Sequence, residues 1–211
     1  MSTTIYANHR ENQRALILDC AAELFIAKGI EPVTMGQIAK AARITRATIY
    51  KYFANKEEIA HAIFQTITQS WRDRNEREVY GVQGSGYIRL QTFTESLFNY
   101  LFQNPREASF VAEINYLYAK TWSAEQFTET MLANLMEDRA FVLQSIEDGM
   151  ADGSLRNDME AELMLAVFFN FLSGTISRLG EMGDKVQAEY GISTRTVFTH
   201  LYRIFLDGLK A

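Results

Sequence analysis

Apolar residues near the start of the chain recur at spacings of three and four, which is the period of an amphipathic helix. Over residues 10–28 this stripe consists of Leu16, Ile17, Cys20, Ala21 and Leu24. It stops at Gly29, a residue suited to a helix C-terminus. The pattern predicts a first helix over residues 10–28 with one face on a core.

Three capping motifs then follow one another closely. Thr34 and Gln37 form a capping box that would begin a short second helix. Thr45 can cap a third helix, which has to end near residue 53 because Asn55 and Glu58 form another capping box. Three helices within about 45 residues, the last two separated by a few residues, are typical of a helix-turn-helix.

The rest of the chain predicts six more helices, divided by a Gly-rich loop at residues 81–86 and by the Asn104-Pro105 pair. They cover residues 56–79, 87–103, 106–121, 123–149, 159–180 and 194–209. We therefore expect an all-α protein with a three-helix helix-turn-helix domain over residues 1–55. A six-helix ligand-binding and dimerisation domain would follow over residues 56–211.

Composition and charge narrow the class of protein. Of the 211 residues, 47% are hydrophobic and only two are proline, which fits a globular helical chain. The net charge of -5 is unevenly distributed, because residues 1–56 contain eight basic and four acidic residues and the remainder carries the whole acidic excess. A basic end on an acidic body is a common footprint of nucleic-acid binding, although a membrane surface or an acidic protein would also fit.

The stretch RITRATIYKYF, residues 43–53, has basic and aromatic side chains and no carboxylate. Ile49 and Phe53 would share an inward face with Ile44. The outward face would then consist of Arg46, Ala47, Thr48, Tyr50 and Lys51. Small residues let a helix approach base edges, arginine pairs with guanine, and tyrosine and lysine reach phosphates. The plain alternative is a solvated basic helix.

Residues 33–64, VTMGQIAKAARITRATIYKYFANKEEIAHAIF, closely resemble the DNA-binding region of TetR-family transcriptional regulators. The resemblance implies that DNA contacts come from Thr34, Arg43, Thr45, Arg46, Ala47, Thr48, Tyr50, Lys51, Tyr52 and Lys56. Among these, Tyr50 and Lys56 hold the family's usual phosphate-contacting positions. Arg43 departs from the pattern, since this turn position is commonly glycine in the family. Either Arg43 takes a left-handed backbone or the turn differs, and its side chain could gain a phosphate contact.

The last two predicted helices are unusually apolar, as a helix pair buried between subunits would be. Their apolar positions are Leu163, Val167, Phe171, Gly174, Val197, Leu201, Ile204 and Phe205. The resemblance implies a homodimer joined through this pair, with two recognition helices about 34–36 Å apart on a near-palindromic site. An ordinary intramolecular core is the alternative.

The middle helices are rich in aromatic residues, which could line an apolar cavity for a small molecule or simply form a core. The candidate ligand-binding residues are Phe93, Tyr100, Phe110, Glu113, Tyr116, Trp122, Phe127, Met131, Phe141, Gln144, Phe168 and Phe169. A lone buried carboxylate is costly, so a buried and unpaired Glu113 would favour a cationic lipophilic ligand.

The sequence offers no sign of catalysis. The three histidines are isolated, a single cysteine gives no metal-ligand spacing, and neither a nucleophile elbow nor a phosphate loop is present. We therefore expect no enzyme activity, no cofactor and no metal. No charged-then-apolar leader is present, and the longest apolar run, residues 163–176, is too short to span a membrane, so we expect a cytoplasmic protein.

These features together predict a homodimeric repressor that binds a double-stranded, pseudo-palindromic DNA operator and is released by a small lipophilic effector. Two other classes stay open. One is a DNA-binding dimer without an effector, which organises DNA or acts through a protein partner. The other is a helical carrier or enzyme that binds a small molecule in the body alone.

Overall fold

Helices account for most of the structure. The computed structural model describes residues 2–121, 124–183 and 185–211, and the side chains of residues 10–121, 135–183 and 185–211. The helices are α1 (Ser2–Lys28), α2 (Met35–Ala41), α3 (Arg46–Ile49), α4 (Lys56–Glu78), α5 (Gly86–Gln103), α6 (Pro105–Thr121), α7 (Ala124–Asp152), α8 (Ala161–Met182), α9 (Lys185–Tyr190) and α10 (Thr194–Asp207). The described residues contain no strand, so the predicted all-α class is confirmed.

The structure has one helix more than predicted, and α9 lies in the stretch expected to be a connection. Its six residues are too few to show a helical period in the sequence. Gly183 and Gly191 flank it with positive φ angles of 44° and 68°, which glycine adopts without strain. Val186 fixes the short helix by packing into the apolar interior of the body.

The third helix is shorter than predicted. It ends at Ile49, and the chain continues to Phe53 as a turn rather than as regular α-helix. The amide of Lys51 donates to the Thr48 carbonyl at 3.1 Å and that of Tyr52 to the Ile49 carbonyl at 3.0 Å, which is tighter 3₁₀-type bonding.

Two apolar cores organise the molecule. We call α1 to α3 the head and α4 to α10 the body. The head core contains buried side chains of α1 to α3, such as Ile17, Phe25 and Ile49, but it also includes Ile59 of α4 and Phe110 of α6. The body core is separate and is built from α4, α5, α7, α8 and α10 with smaller contributions elsewhere. The head therefore packs on α6 as well as on α4, across the predicted boundary at residue 55.

Helices α6 and α8 touch at a glycine. A Cβ at Gly180 would clash with the Ala108 carbonyl oxygen and would lie 2.8 Å from the Ala112 Cβ. The Ser109 hydroxyl donates to the Gly180 carbonyl at 3.1 Å, so the contact is also hydrogen-bonded. This close approach fixes the N-terminal half of α6 on the body.

By length and composition alone, α8 is the one described helix that could cross a membrane. Such a helix is weak evidence of a span, because the core helix of a globular protein passes the same test. In this structure one face of α8 is buried in the body core through Met164, Leu165, Phe168 and Leu172. Core packing therefore accounts for the apolar residues on that side of the helix.

Candidate nucleic-acid interface and effector cavity

The predicted caps hold the helix-turn-helix together. The Thr34 hydroxyl accepts from the Gln37 amide at 3.3 Å while the Gln37 side chain accepts from the Thr34 amide at 2.8 Å, so the capping box is complete. The Thr45 hydroxyl accepts from the Thr48 amide at 3.1 Å and begins α3. Asn55 likewise accepts from the Glu58 amide at 2.8 Å, which begins α4. All three N-cap side chains predicted from the sequence are confirmed, but Glu58 accepts from the Ala54 amide at 2.6 Å and not from the Asn55 amide, so the second predicted capping box is incomplete.

The α3 segment is oriented as its pattern predicts. Ile49 and Phe53 are buried in the head core, whereas Arg46, Ala47 and Lys51 are exposed. Tyr50 leaves 55% of its surface exposed, so its ring is accessible to a partner. The segment thus presents a small, basic and aromatic face, as the major groove requires.

Arg43 adopts the left-handed backbone that the family pattern assigns to glycine. Its φ of 56° is the one positive value at a non-glycine residue in the described part of the chain. The turn is closed by the Ile44 amide, which donates to the Ala39 carbonyl at 2.9 Å. The helix-turn-helix geometry is therefore kept at Arg43 with a strained backbone, and the Arg43 side chain is exposed.

Two basic side chains of the predicted DNA-binding set have structural neighbours. Arg46 lies across Gly36, where an added Cβ would be 2.8 Å from the Arg46 Nε and Nη2 atoms. Lys56 donates from Nζ to the Ile30 carbonyl at 3.0 Å and also to the Glu31 carbonyl. The Lys56 ammonium therefore ties the start of α4 to the loop after α1. Its predicted phosphate contact stays a prediction.

The body encloses a cavity of about 350 Å³ that is mostly apolar. Helices α4, α5, α6, α7 and α8 all contribute to its wall. The lining residues are Phe64, Ile67, Thr68, Trp71, Phe93, Leu97, Tyr100, Leu101, Val111, Asn115, Leu135, Asp138, Arg139, Phe169, Asn170, Leu172, Ser173 and Ile176. An apolar chamber of this size with a few polar groups is the usual form of a small-molecule site.

A buried carboxylate, Asp138, belongs to this wall. Only 4% of its surface is exposed, and it accepts hydrogen bonds from Trp71 Nε1 at 2.8 Å, Asn75 Nδ2 at 2.7 Å and the Tyr80 hydroxyl at 2.7 Å. Burial raises the pKa of the Asp138 carboxyl above its ordinary value, and these hydrogen bonds counteract the shift. The network joins α7 to α4 and to the loop that follows α4.

The sequence and the fold are similar to those of known transcriptional regulators. Residues 17–63 match the family described as "Bacterial regulatory proteins, tetR family". The chain is 27% identical over 206 residues to the HTH-type transcriptional repressor KstR2 of Rhodococcus jostii, covering 96% of this chain and 93% of that protein. It is 23% identical to the HTH-type transcriptional regulator TtgR of Pseudomonas putida, with 83% and 84% covered. The family match, the curated relatives and the solved structures together support a TetR-family transcriptional regulator.

Solved structures of transcriptional regulators share the fold over most of the chain. FadR from Bacillus subtilis in complex with stearoyl-CoA has a TM-score of 0.70 at 18% identity, covering 92% of this chain and 98% of that one. KstR2 of Mycobacterium tuberculosis has a TM-score of 0.66 at 18% identity, with 94% and 95% covered. The named relatives are transcriptional regulators, so nothing in these likenesses points to an enzyme.

The cavity contains part of the predicted ligand set. Phe93, Tyr100 and Phe169 line it. Among the others, Phe110 is in the head core, Phe168 is fully buried in the body core, and Phe141 packs against Phe93 with ring centroids 6.2 Å apart. The remaining side chains lie at the surface or outside the described residues. Tyr116 is 61% exposed, Gln144 is exposed and bonds to Asp148, and the side chains of Trp122, Phe127 and Met131 lie outside the described residues.

Glu113 does not fulfil the condition set for a cationic ligand. It is half-buried and its Oε2 accepts from the Ile30 amide at 3.3 Å, so it is paired by protein and lies outside the cavity wall. The buried carboxylate of the cavity is Asp138, which the sequence pattern does not single out. Asp138 lies in a charged stretch between Glu137 and Arg139, and such a stretch is typical of a solvated helix face.

A loop of the head connects the DNA-binding region to the cavity wall. Glu113 of α6 contacts the Ile30 amide, and Lys120 of α6 donates to both carboxylate oxygens of Glu31 at 2.9 and 3.1 Å. The Lys120 ammonium holds the pKa of Glu31 below its usual range. The same helix lines the cavity with Val111 and Asn115. Helix α6 therefore contacts both the cavity and the loop that follows α1.

The predicted dimer helices expose a continuous apolar face. Leu163 and Val167 of α8 are 54% and 41% exposed, and Leu201 and Ile204 of α10 are 41% and 71% exposed. Phe171 and Phe205 stack between the helices, while Val197 is half-buried and Gly174 has open space beyond its Cα. We call this surface the α8–α10 face. Exposed apolar residues grouped on two neighbouring helices mark an interaction surface, whereas single ones do not.

Proposed function

We propose that the protein is a homodimeric, cytoplasmic repressor that leaves a pseudo-palindromic operator when a small lipophilic molecule fills the body cavity. The observation that carries this proposal is that α4 and α6 both line the cavity and both pack on the head core. A ligand cannot change the spacing of these helices without acting on the head.

DNA binding is assigned to the exposed face of α3 and its flanks. Arg46 is available to read base edges, and Tyr50 and Lys51 to contact phosphates, because these side chains are exposed and the helix that carries them begins at a fixed cap. The basic head on an acidic body also orients the approach to DNA. Two heads on one dimer would read two half-sites one helical turn apart.

Dimer formation is assigned to the α8–α10 face. A second copy related by a two-fold axis would cover the same apolar residues on both chains, which is the commonest way to bury such a surface. The resulting four-helix contact would set the distance between the two heads.

The effector would act by shifting the equilibrium between a dimer that fits the operator and a dimer that does not. A ligand changes the equilibrium only through its different affinity for the two states, so it must favour a form in which the two heads no longer match one DNA turn. The contacts of Glu113 and Lys120 with the Ile30 and Glu31 loop offer a direct mechanical connection. The solved complex of FadR with stearoyl-CoA supports an effector with a long apolar part.

The first test is selection of bound fragments from the sheared DNA of the source organism at near-physiological salt. The wild-type protein should recover a short pseudo-palindrome, and a Tyr50→Ala, Lys51→Ala variant should fail to do so. A matched Lys185→Ala, Tyr190→Ala variant removes the same residue types from exposed positions on α9 and should behave as wild type.

Salt dependence separates specific phosphate contacts from general charge. The slope of log K against log salt should become less steep by about one for each phosphate that a variant head no longer neutralises. If the Tyr50→Ala, Lys51→Ala variant recovered the same operator with the same slope as wild type, the assignment of α3 to DNA would be refuted. Equal operator affinity with and without a saturating cavity ligand would refute release by that ligand.

A further inference from the structure

The cavity wall combines aromatic rings with one buried charge that forms no ion pair among the described residues. Asp138 is the only buried carboxylate among the described lining residues. Its three hydrogen-bond partners are an indole, an amide and a phenol, and all of them are neutral donors. The arrangement is one that fits the ionised carboxylate, which accepts at both oxygens.

The bonding of Asp138 leaves acceptor capacity unused. Its Oδ1 accepts from Asn75 and Tyr80, whereas its Oδ2 accepts only from Trp71. A carboxylate oxygen can accept about two hydrogen bonds, so Oδ2 has room for a further donor. Because Asp138 and Trp71 both belong to the cavity wall, a bound molecule can supply that donor.

The arginines near the cavity each have a carboxylate neighbour on the protein, although the buried Arg72 Nε forms no hydrogen bond. Arg139 also lines the cavity, but its Nη2 donates to Glu162 at 2.8 Å and its side chain is 42% exposed. Arg72 acts on Asp138 only at a distance, because its Nε lies 3.9 Å from Glu137 and its side chain forms no ion pair with Asp138. Within the described residues, the buried charge of the chamber is therefore negative.

The aromatic lining favours the same class of ligand. The rings of Trp71, Phe93 and Tyr100 form one cluster in the wall, with the Trp71 centroid 5.9 Å from that of Phe93 and 5.8 Å from that of Tyr100. Ring faces attract cations, and they do so more strongly where water is excluded. The Arg74 guanidinium already lies over the Tyr100 ring, with its Cζ 5.9 Å from the ring centroid, so Trp71 and Phe93 are the rings left for a ligand cation. An anionic head group at this position would meet like charge at Asp138.

We propose that the effector is a lipophilic cation with an ammonium-type group, which donates to Asp138 while its apolar part fills the aromatic chamber. This inference rests on the proposed function for the existence of an effector, and it adds the chemical class. Asp138 is the residue that selects that class.

Three probes with the same ten-carbon chain test the inference on the wild-type protein. Decylammonium, decanol and decanoate differ only in the charge and hydrogen bonding of the head group. Calorimetric titration at neutral pH should show decylammonium binding at least about tenfold more tightly than decanol, with decanoate weakest. This ranking needs no variant, so it does not depend on how a substitution affects folding.

Two variants then test whether Asp138 causes the preference for the ammonium head group. Asp138→Asn removes the buried charge and should weaken decylammonium binding at least about tenfold while leaving decanol within about threefold. Glu147→Gln removes the same charge from an exposed residue of α7 outside the cavity wall and should leave all three affinities within about threefold. Thermal unfolding of each variant checks that the fold is retained.

The binding results test the chemical class of the effector, and the operator-release results test the proposed function separately. Equal binding of the three probes, preference for decanoate, or no binding of decylammonium at about 1 mM would overturn the cationic class. Operator release by decanol or decanoate in those cases would leave the ligand-responsive repressor standing. Preferential binding of decylammonium without any effect on operator affinity would support the inference and refute release by this ligand.

Discussion

The left-handed backbone at Arg43 leads to a quantitative prediction. A residue with a Cβ pays roughly 1–2 kcal/mol in this conformation, whereas glycine does not. Glycine in turn loses about 0.5–1 kcal/mol more backbone entropy on folding. Arg43→Gly should therefore raise the free energy of unfolding by about 0.5–1 kcal/mol relative to wild type. For a chain of this size that gain corresponds to an increase in Tm of roughly 1–4 °C.

Arg43→Ala is the matched control, because alanine removes the guanidinium but keeps the Cβ and its strain. Both variants should lack any phosphate contact made by Arg43, so their operator affinities should fall together and their salt slopes should become less steep by about one per head. Only the glycine variant should gain stability. Thermal and urea unfolding of the wild type and the two variants give the free energies of unfolding to be compared. Equal stability of Arg43→Gly and Arg43→Ala would refute the argument that the turn is strained.

Three further substitutions test the packing. Gly180→Ala should destabilise the protein by about 1–3 kcal/mol in urea unfolding, because the added methyl group overpacks the contact with Ala108 and Ala112; unchanged stability would contradict that close approach. Lys120→Met should leave the urea midpoint of unfolding close to that of wild type, since the ion pair of Lys120 with Glu31 is exposed. The same variant should weaken the effect of a cavity ligand on operator affinity, and a full ligand response would contradict the coupling through α6. Ile204→Glu places a charge on the α8–α10 face and should give monomers in sedimentation analysis, whereas Ile192→Glu, at an exposed position outside that face, should not. A dimer in both variants would refute the assignment of the dimer contact to the α8–α10 face.

The helix-turn-helix could be predicted from the sequence because its signals are local. Thr34, Thr45 and Asn55 each bond to an amide three residues away, so the cap and its partner lie in one short window. The inward direction of Ile49 and Phe53 follows from helical spacing in the same way. Even the strain at Arg43 was foreseeable as one of two outcomes once the turn position was known.

The cavity depends on contacts between distant segments, and there the prediction was incomplete. Asp138 is bonded to Trp71 and Tyr80, which lie 67 and 58 residues away, and nothing in its own neighbourhood marks it as buried. Lys56 likewise donates to backbone carbonyls of residues 30 and 31, and backbone partners leave no trace in side-chain patterns. Aromatic residues were correctly expected in the wall, but which ring faces the chamber is set by the rotation of each helix.

Helix α6 packs in both the head core and the body core, and this limits how the protein can be truncated or recombined. A fragment ending at residue 55 would lack Phe110, Ile114 and Tyr118 of the head core and expose the apolar surface they cover. The DNA-binding segment is therefore not a portable module. A chimera that joins this head to the body of another regulator would have to carry over the matching face of α6, and recombination between relatives should succeed only where that face is inherited together with the head.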